Sequence, residues 1–359
     1  MKYFREISAS QLLLWITLSF SAVTVQAATP SVSILMYHHV SEDTPRVTSV
    51  TPEEFEAHLQ YLQDNGFNVV SLPDAIHAIE QGTELPEKAV ALTFDDAYLN
   101  LYENAAPMLE RFNMPWTLFV STEVIRETPT SFMSWEQLEE LKSKGVTIAN
   151  HSIDHAHLPR RQSGENWQQW EERIRNNLLS AQEELEQRLG VENRLIAYPF
   201  GEYNNRLRDI LADLNFHGLG QHSGAYGKYS DPQAIPRFPA SGNYANLETL
   251  SVKMAALNLP TLRVNFSDTL LTHSQTRPGL GVTLEMDDIH QHQLQCFVGG
   301  EPVSPTWVGN NRFYIQANND IPIGRSRYNC TTPSKTQPKR FYWFSKQWIR
   351  PDPQGSWPD

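Results

Sequence analysis

Short apolar runs alternate with helical patterns over the first two thirds of the chain, from about residue 31 to residue 239. Runs that are apolar at nearly every position, such as 89–94 (AVALTF), are typical of strands buried on both faces of a sheet. The pattern predicts eight strands, at residues 33–37, 67–70, 89–94, 116–120, 146–149, 195–198, 217–219 and 234–238. It also predicts six helices, at about residues 52–65, 74–81, 99–112, 134–145, 167–189 and 204–214.

Repeated strand–helix units imply a parallel sheet, and this many units favour a closed or nearly closed barrel. We therefore predict an α/β fold in the form of an irregular (β/α) barrel with seven or eight strands. A doubly wound open sheet is the alternative.

The character of the chain changes after about residue 263, where helical periodicity disappears. Short apolar runs are separated by Gly, Pro and Asn, and aromatic residues become dense. This pattern predicts a small all-β C-terminal domain over residues 263–359, most simply a sandwich.

The first 27 residues have the layout of a secretory signal peptide. Lys2 and Arg5 precede a mostly apolar run over 12–25, and Val25-Gln26-Ala27 forms a small-residue cleavage site. A membrane anchor is the alternative, but the run falls short of the roughly 20 residues that span a bilayer. We therefore expect residues 1–27 to be removed, residues 28–262 to form the barrel domain, and the mature chain to be exported, periplasmic or secreted, with no stable membrane span.

Export changes the expectation for the two cysteines, Cys296 and Cys330, because an oxidising compartment favours a disulfide between them. Two buried free thiols are the alternative. The 29 basic and 41 acidic residues give a net charge of −12, and no block of Lys or Arg stands out. A nucleic-acid partner is therefore not expected, since such binding depends on clustered basic residues.

Polar residues follow four of the predicted strands at the end where barrel active sites are built. They are Tyr37-His38-His39, Asp95-Asp96, His151 with His155, and Tyr198-Pro199-Phe200-Gly201. Two imidazoles and one carboxylate are a ligand set for zinc or a similar divalent ion. Taken singly, an HxxxH spacing is common on surfaces and paired aspartates are common in turns, so the combination carries the prediction.

Together these residues resemble the polysaccharide deacetylase family, the NodB-homology hydrolases of carbohydrate esterase family 4. Thr93-Phe94-Asp95-Asp96 is similar to the TFDD motif of that family, residues 151–155 (HSIDH) to its H-S-x-x-H motif and residues 198–201 (YPFG) to its third motif. The resemblance covers about residues 31–239 and implies a NodB-like barrel. It further implies that Asp96, His151 and His155 bind a divalent metal, most simply zinc, that Asp95 is the general base, and that the backbone amide of Phe200 holds the oxyanion.

The chain departs from the family pattern in two places. Ala197 stands where the family usually has an Arg that orients the base, and Arg237 is the candidate to fill that role. The late Leu-x-His motif that supplies the general acid has only 271–273 (LTH) as a counterpart, beyond the predicted barrel.

The early run 34–40 (ILMYHHV) resembles the permuted branch that includes bacterial poly-β-1,6-N-acetylglucosamine deacetylases, in which a His on the first strand is the acid. We therefore expect His38 rather than His273 to be the acid and His39 to be structural. His157 is either a third imidazole near the metal or, as we expect, a solvent-exposed loop residue.

The resemblance implies a metal-dependent hydrolase that removes N-acetyl groups from N-acetylglucosamine-containing polysaccharide. An O-acetyl polysaccharide esterase is one alternative, because the same site can attack either acyl linkage. An inactive carbohydrate-binding or assembly protein is another, which the Ala197 departure favours. The expected partner is an acetylated polysaccharide, and the sequence identifies no protein partner.

Overall fold

The fold is described from a computed structural model, which covers residues 30–128 and 130–358. The predicted signal peptide lies outside these residues. Within them, no helix is long and apolar enough to cross a bilayer.

The first part of the chain is an α/β structure whose strands are mostly short and buried. Its strands are β1 (Ser31–Tyr37), β2 (His39–Val40), β3 (Ser49–Val50), β4 (Asn68–Val69), β5 (Ala89–Phe94), β6 (Trp116–Val120), β7 (Thr147–Asn150), β8 (Leu195–Ala197), β9 (His217–Leu219), β10 (Ala225–Gly227) and β11 (Phe238–Pro239). Its helices are α1 (Pro52–Asp64), α2 (Leu72–Gln81), α3 (Ala106–Arg111), α4 (Thr122–Glu127), α5 (Trp135–Ser143), α6 (Trp167–Leu189), α7 (Asn205–Asp213) and α8 (Leu247–Met254).

Seven parallel strands, β1, β5, β6, β7, β8, β9 and β11, form a curled, nearly closed sheet. This arrangement confirms the predicted barrel-like α/β fold. Strands β1, β5, β6, β7, β8 and β9 pair in that order. A parallel bridge from Leu219 to Ile235 and the parallel pairing of β11 with β1 complete the circle. The predicted strand at 67–70 is not one of the seven, because β4 pairs only with the first two residues of β5.

Capping residues in the sequence account for where three of the helices begin. The capping box predicted at Thr51 is present, since its hydroxyl accepts from the Glu54 amide and the Glu54 carboxylate accepts from the Thr51 amide. Ser134 with Gln137 and Asn166 with Gln169 cap α5 and α6 in the same way. These reciprocal bonds satisfy amides that a helix leaves without partners in its first turn.

The last part of the chain is all-β, with an apolar core that includes Leu280, Phe313, Tyr328 and Trp348. Its strands are β12 (Leu257–Asn258), β13 (Thr261–Asn265), β14 (Gly279–Leu284), β15 (Gln295–Val298), β16 (Glu301–Val303), β17 (Thr306–Val308), β18 (Arg312–Gln316), β19 (Gly324–Pro333) and β20 (Phe341–Arg350). They form a five-stranded sheet in the order β12-β20-β19-β15-β16 and a four-stranded sheet in the order β13-β14-β18-β17. We call residues 257–358 the β region; it begins shortly before the predicted division at residue 263.

Cys296 and Cys330 form a disulfide between directly opposed residues of β15 and β19, as the sequence analysis expected. The bond closes a loop between residues 34 apart in sequence. Closing a loop of that length removes conformational entropy from the unfolded chain.

We expect the double variant Cys296→Ser, Cys330→Ser to lower the free energy of unfolding of the β region by about 2–4 kcal/mol. The measurement is urea unfolding with and without reductant. Reductant should lower the unfolding midpoint of the wild type and leave that of the double variant unchanged. A wild-type midpoint insensitive to reductant would contradict the prediction.

Candidate active site

The residues singled out at the strand ends lie together at the carboxyl end of the barrel. The backbone there is unusual, because five non-glycine residues of this edge have positive φ. Such conformations cost about 1–3 kcal/mol each and persist where surrounding structure determines them, often at functional sites. The five are Asp96 (φ 76°), Ala97 (φ 57°), Ser152 (φ 72°), His155 (φ 53°) and Phe200 (φ 58°).

Asp96, His151 and His155 form a compact cluster of metal-ligand atoms. The Nε2 atoms of His151 and His155 each lie 3.2 Å from Oδ1 of Asp96. One ligand atom from each residue falls within 4.8 Å of the others, so the three could hold a metal ion.

The orientation of His151 suits it to bind a metal. Its Nδ1 donates to the carbonyl oxygen of Ala197 at 2.7 Å, so Nε2, which faces Asp96, is the nitrogen that can bind a metal once it has lost its proton. Burial alone would raise the pKa of Asp96, but hydrogen bonds from His151 and His155 hold that pKa well below its ordinary value. Asp96 is therefore an ionised carboxylate beside two imidazoles, a donor set that fits a divalent ion such as zinc.

Asp95 is held by a different partner. Both residues of the Asp95–Arg237 pair are fully buried, and Arg237 reaches Asp95 with Nη1 2.6 Å from Oδ1 and Nη2 2.8 Å from Oδ2. Burial raises the pKa of Asp95, but the Arg237 guanidinium and the nearby His151 and His38 outweigh it and lower that pKa below its ordinary value. The cation paired with Asp95 is therefore Arg237. This residue is the one expected from the sequence to replace the Arg that the family usually has at the position of Ala197.

Three histidines of the sequence, His38, His39 and His273, bear on the identity of the general acid. Of these, His38 lies beside Asp95. Its Nε2 lies 3.8 Å from Oδ2 of Asp95, and its side chain is 17% exposed. His39 stacks on Tyr98 at 3.8 Å and shares a hydrogen bond with Asn100, and burial together with His38 lowers its pKa to about 4. His273 instead lies in the β region, where its Nδ1 is 3.1 Å from the carbonyl oxygen of Pro351.

The loop after β8 places an aromatic ring against the metal-ligand cluster. Residues Pro199–Gly201 form one turn of 3-10 helix, with the main chain of Phe200 at positive φ. The Phe200 ring meets His155 edge to face with centroids 4.7 Å apart and stacks on His157 at 4.1 Å.

The expectation that His157 is a solvent-exposed loop residue is wrong. Its side chain is only 11% exposed, and its Nδ1 lies 2.7 Å from Oε2 of Glu202. It is also not part of the metal-ligand cluster. The reason is Glu202, a buried carboxylate that the sequence analysis did not single out, although it directly follows the YPFG motif.

Comparison with known proteins places this geometry in a family. A family model described as "Polysaccharide deacetylase" matches residues 82–219. YxkH of Bacillus subtilis (strain 168), named as a polysaccharide deacetylase, is 30% identical over 213 residues, which cover 58% of this chain and 71% of that protein. The poly-beta-1,6-N-acetyl-D-glucosamine N-deacetylase of Escherichia coli (strain K12) is 23% identical over 73% of this chain, but the match spans only 42% of its length.

A solved structure gives the same result for the fold. The Streptococcus pyogenes deacetylase PplD, determined in complex with acetate, superposes with a TM-score of 0.57 at 26% identity. The match covers 63% of this chain and 99% of PplD. On the motifs, the barrel and the extent of the match with YxkH, the chain belongs to the polysaccharide deacetylase family.

Proposed function

We propose that this protein is a metal-dependent hydrolase that removes N-acetyl groups from an N-acetylglucosamine-containing polysaccharide. One observation carries the proposal: the Asp96, His151 and His155 donors converge beside Asp95, which a buried Arg237 holds in its ionised form. A metal site with a base next to it provides the groups that metal-assisted amide hydrolysis uses.

Asp96, His151 and His155 would hold the ion, for which zinc suits the donor set. When bound, a divalent ion supplies Lewis-acid polarisation of the acetyl carbonyl and favours ionisation of water. The backbone amide of Phe200 would donate to the developing oxyanion at the same edge of the barrel.

Asp95 is the base in this mechanism and accepts the proton of the attacking water. Arg237 donates one hydrogen bond to each Asp95 carboxylate oxygen, and each oxygen keeps a second lone pair that can accept the proton of water. Arg237 fixes the carboxylate in position and keeps it ionised, and it is therefore a positioning residue.

His38 is the acid and, when protonated, donates a proton to the leaving amine. An amine leaves poorly as an anion, so amide cleavage needs this donor. The support is positional, because His38 is partly exposed at the carboxyl end of β1 and lies beside Asp95.

The alternative of an inactive carbohydrate-binding protein loses its main support. It depended on the absence of an Arg at position 197, and Arg237 makes a bidentate pair with Asp95 from the segment just before β11. A binding protein has no need of an ionised, fully buried carboxylate beside a metal-ligand cluster, since burying such a charge is costly.

We further propose that the protein is exported, to the periplasm or to the outside of the cell. The signal-like pattern of residues 1–27 and the disulfide of the β region support this, because structural disulfides are typical of oxidising compartments. The acetylated polysaccharide would be met there, and the chain would divide into a deacetylase barrel and a C-terminal β domain.

We expect the purified protein to release acetate from β-1,6- or β-1,4-linked N-acetylglucosamine oligomers, and a chelator to abolish the release. His151→Ala or His155→Ala should lose the bound metal and nearly all activity, because a three-ligand site loses its geometry without one imidazole. His292→Ala, an exposed histidine of the β region, is the control and should behave as wild type. Full activity with stoichiometric metal in either ligand variant would exclude this site.

Asp95→Asn should keep the metal and lose about 10² to 10⁴-fold in kcat, because an amide cannot accept the proton of water. Asp96→Asn, a change of the same kind one residue along, should instead lose the metal. Metal content by mass spectrometry and kcat for acetate release are measured on both variants. The opposite pattern, with metal lost only in Asp95→Asn, would reverse the two roles.

His38→Ala should reduce hydrolysis of the amide substrate far more than hydrolysis of an activated aryl ester. A phenolate leaves without protonation, whereas an amine does not. His273→Ala is the matched control and should change neither rate. An amide-selective loss in His273→Ala, with His38→Ala near wild type, would transfer the acid role to His273.

A further inference from the structure

Glu202 is a buried carboxylate at the point where the barrel meets the β region. Its side chain is fully buried, and three donors from distant parts of the chain reach it. His157 Nδ1 lies 2.7 Å from Oε2, while Arg325 Nη1 and Trp357 Nε1 lie 3.0 Å and 2.8 Å from Oε1.

These donors compensate a charge that the barrel alone leaves poorly compensated. Burying a carboxylate is costly unless it is paired and hydrogen-bonded. Within the described residues, the permanent cation paired with Glu202 is Arg325, which belongs to β19 of the β region. Two of the three groups that stabilise Glu202 therefore come from outside the barrel.

The C-terminal segment is itself fastened to the barrel. Arg160 donates from Nη2 to the carbonyl oxygen of Trp357 at 2.5 Å, and its Cζ lies 4.5 Å from the centre of the indole ring. These contacts hold the Trp357 indole in the position from which its Nε1 donates a hydrogen bond to Glu202. It also lies edge to face with His157, with centroids 6.0 Å apart.

The same contacts surround Phe200, two residues before Glu202. Its ring stacks on His157 at 4.1 Å, and the Cζ atom of Arg325 is 5.5 Å from the ring centre. The positive φ of Phe200 is a conformation that non-glycine residues adopt at a cost, so neighbouring structure must hold it. Glu202, Arg325 and Trp357 are the neighbours that fix the end of this turn.

We propose that Glu202, Arg325 and Trp357 form a clamp through which the β region positions the Phe200 turn for catalysis. The three are positioning residues. Through Arg325 and Trp357, the β region helps to set the geometry of the active site without touching the substrate. The inference rests on the proposed function insofar as the Phe200 amide acts in deacetylation, but the restraint on the turn can be measured without turnover.

The test uses the full-length protein with two substitutions and matched controls. Trp357→Phe removes the indole donor and keeps an aromatic ring, and Trp348→Phe is its control because the Trp348 Nε1 has no partner among the described residues. Arg325→Ala removes the cation. Arg327→Ala, two residues along the same strand, is its control, since no side-chain hydrogen bond or ion pair of Arg327 is found in the described chain.

We expect Arg325→Ala and Trp357→Phe to lower kcat for acetate release by about 10- to 100-fold at temperatures well below unfolding, with KM and metal content near wild type. Arg325→Ala should also lower the unfolding midpoint, because it leaves the buried Glu202 without its cation. Arg325→Lys, which keeps the charge, should restore part of the loss. The double variant should lose less than the product of the single losses, because both residues act through Glu202. Both controls should keep the wild-type kcat.

Hydrogen exchange of residues 198–204 separates failure of the clamp from failure of the proposed function. Exchange in this turn should be faster in Arg325→Ala and Trp357→Phe than in their controls, whether or not the wild type releases acetate. If the wild type releases none, the proposed function fails while the exchange still decides the clamp. Unchanged exchange overturns the clamp, and so does a kcat loss that is found only at temperatures where the variant begins to unfold.

Discussion

The buried ion pair between Asp95 and Arg237 is the interaction on which the barrel and its chemistry both depend. An ionised carboxylate with no exposed surface is tolerated only with a well-placed cation, because its desolvation is costly. Arg237 lies between Ile235, which bridges to β9, and β11, which pairs with β1. The segment that closes the barrel therefore also carries the charge that keeps Asp95 ionised.

The pair is extended by hydrogen bonds that join neighbouring parts of the barrel. Arg237 donates from Nε to the carbonyl oxygen of Gly220 and from Nη1 to Thr93 Oγ1, and Thr93 donates in turn to the carbonyl oxygen of Leu35. These bonds link β1, β5 and the loop after β9. The turns that carry the histidines are fixed in a similar way, since Ser121 Oγ donates to the carbonyl oxygen of His151 and the His155 amide to Ser152 Oγ. Polar groups of the fold therefore restrain these turns even without a metal ion.

The sequence was sufficient to predict the barrel and to bring the main candidate residues together. Buried parallel strands appear as continuous apolar runs, and their carboxyl ends meet at one edge, so motifs at strand ends such as Asp95-Asp96 and His151 had to lie close to each other. The pairing of β4 and the antiparallel β10 were not predicted, because a short apolar run does not show which strand it pairs with, and no apolar run stands out at Ala225–Gly227.

The contacts of Glu202 were beyond sequence reasoning for a different reason. Arg325 and Trp357 follow it by 123 and 155 residues, and they belong to a part of the structure with its own core. No local pattern in either segment indicates such a contact. The burial of His157 depends on the same contacts, which is why sequence reasoning wrongly predicted an exposed loop residue at that position.

The two adjacent aspartates have different partners, and the difference in their proposed roles depends on those partners. Asp95 is compensated by a guanidinium that cannot lose its proton, so its charge and position are fixed whatever binds nearby. Asp96 is compensated by two imidazoles, which can be neutral and bind a metal ion through the same nitrogens that now face the carboxylate. A cation entering the site would therefore replace shared protons at Asp96 and leave the Asp95 pair intact. This difference in partners, rather than any difference between the two side chains, is what separates the expected base from the expected ligand.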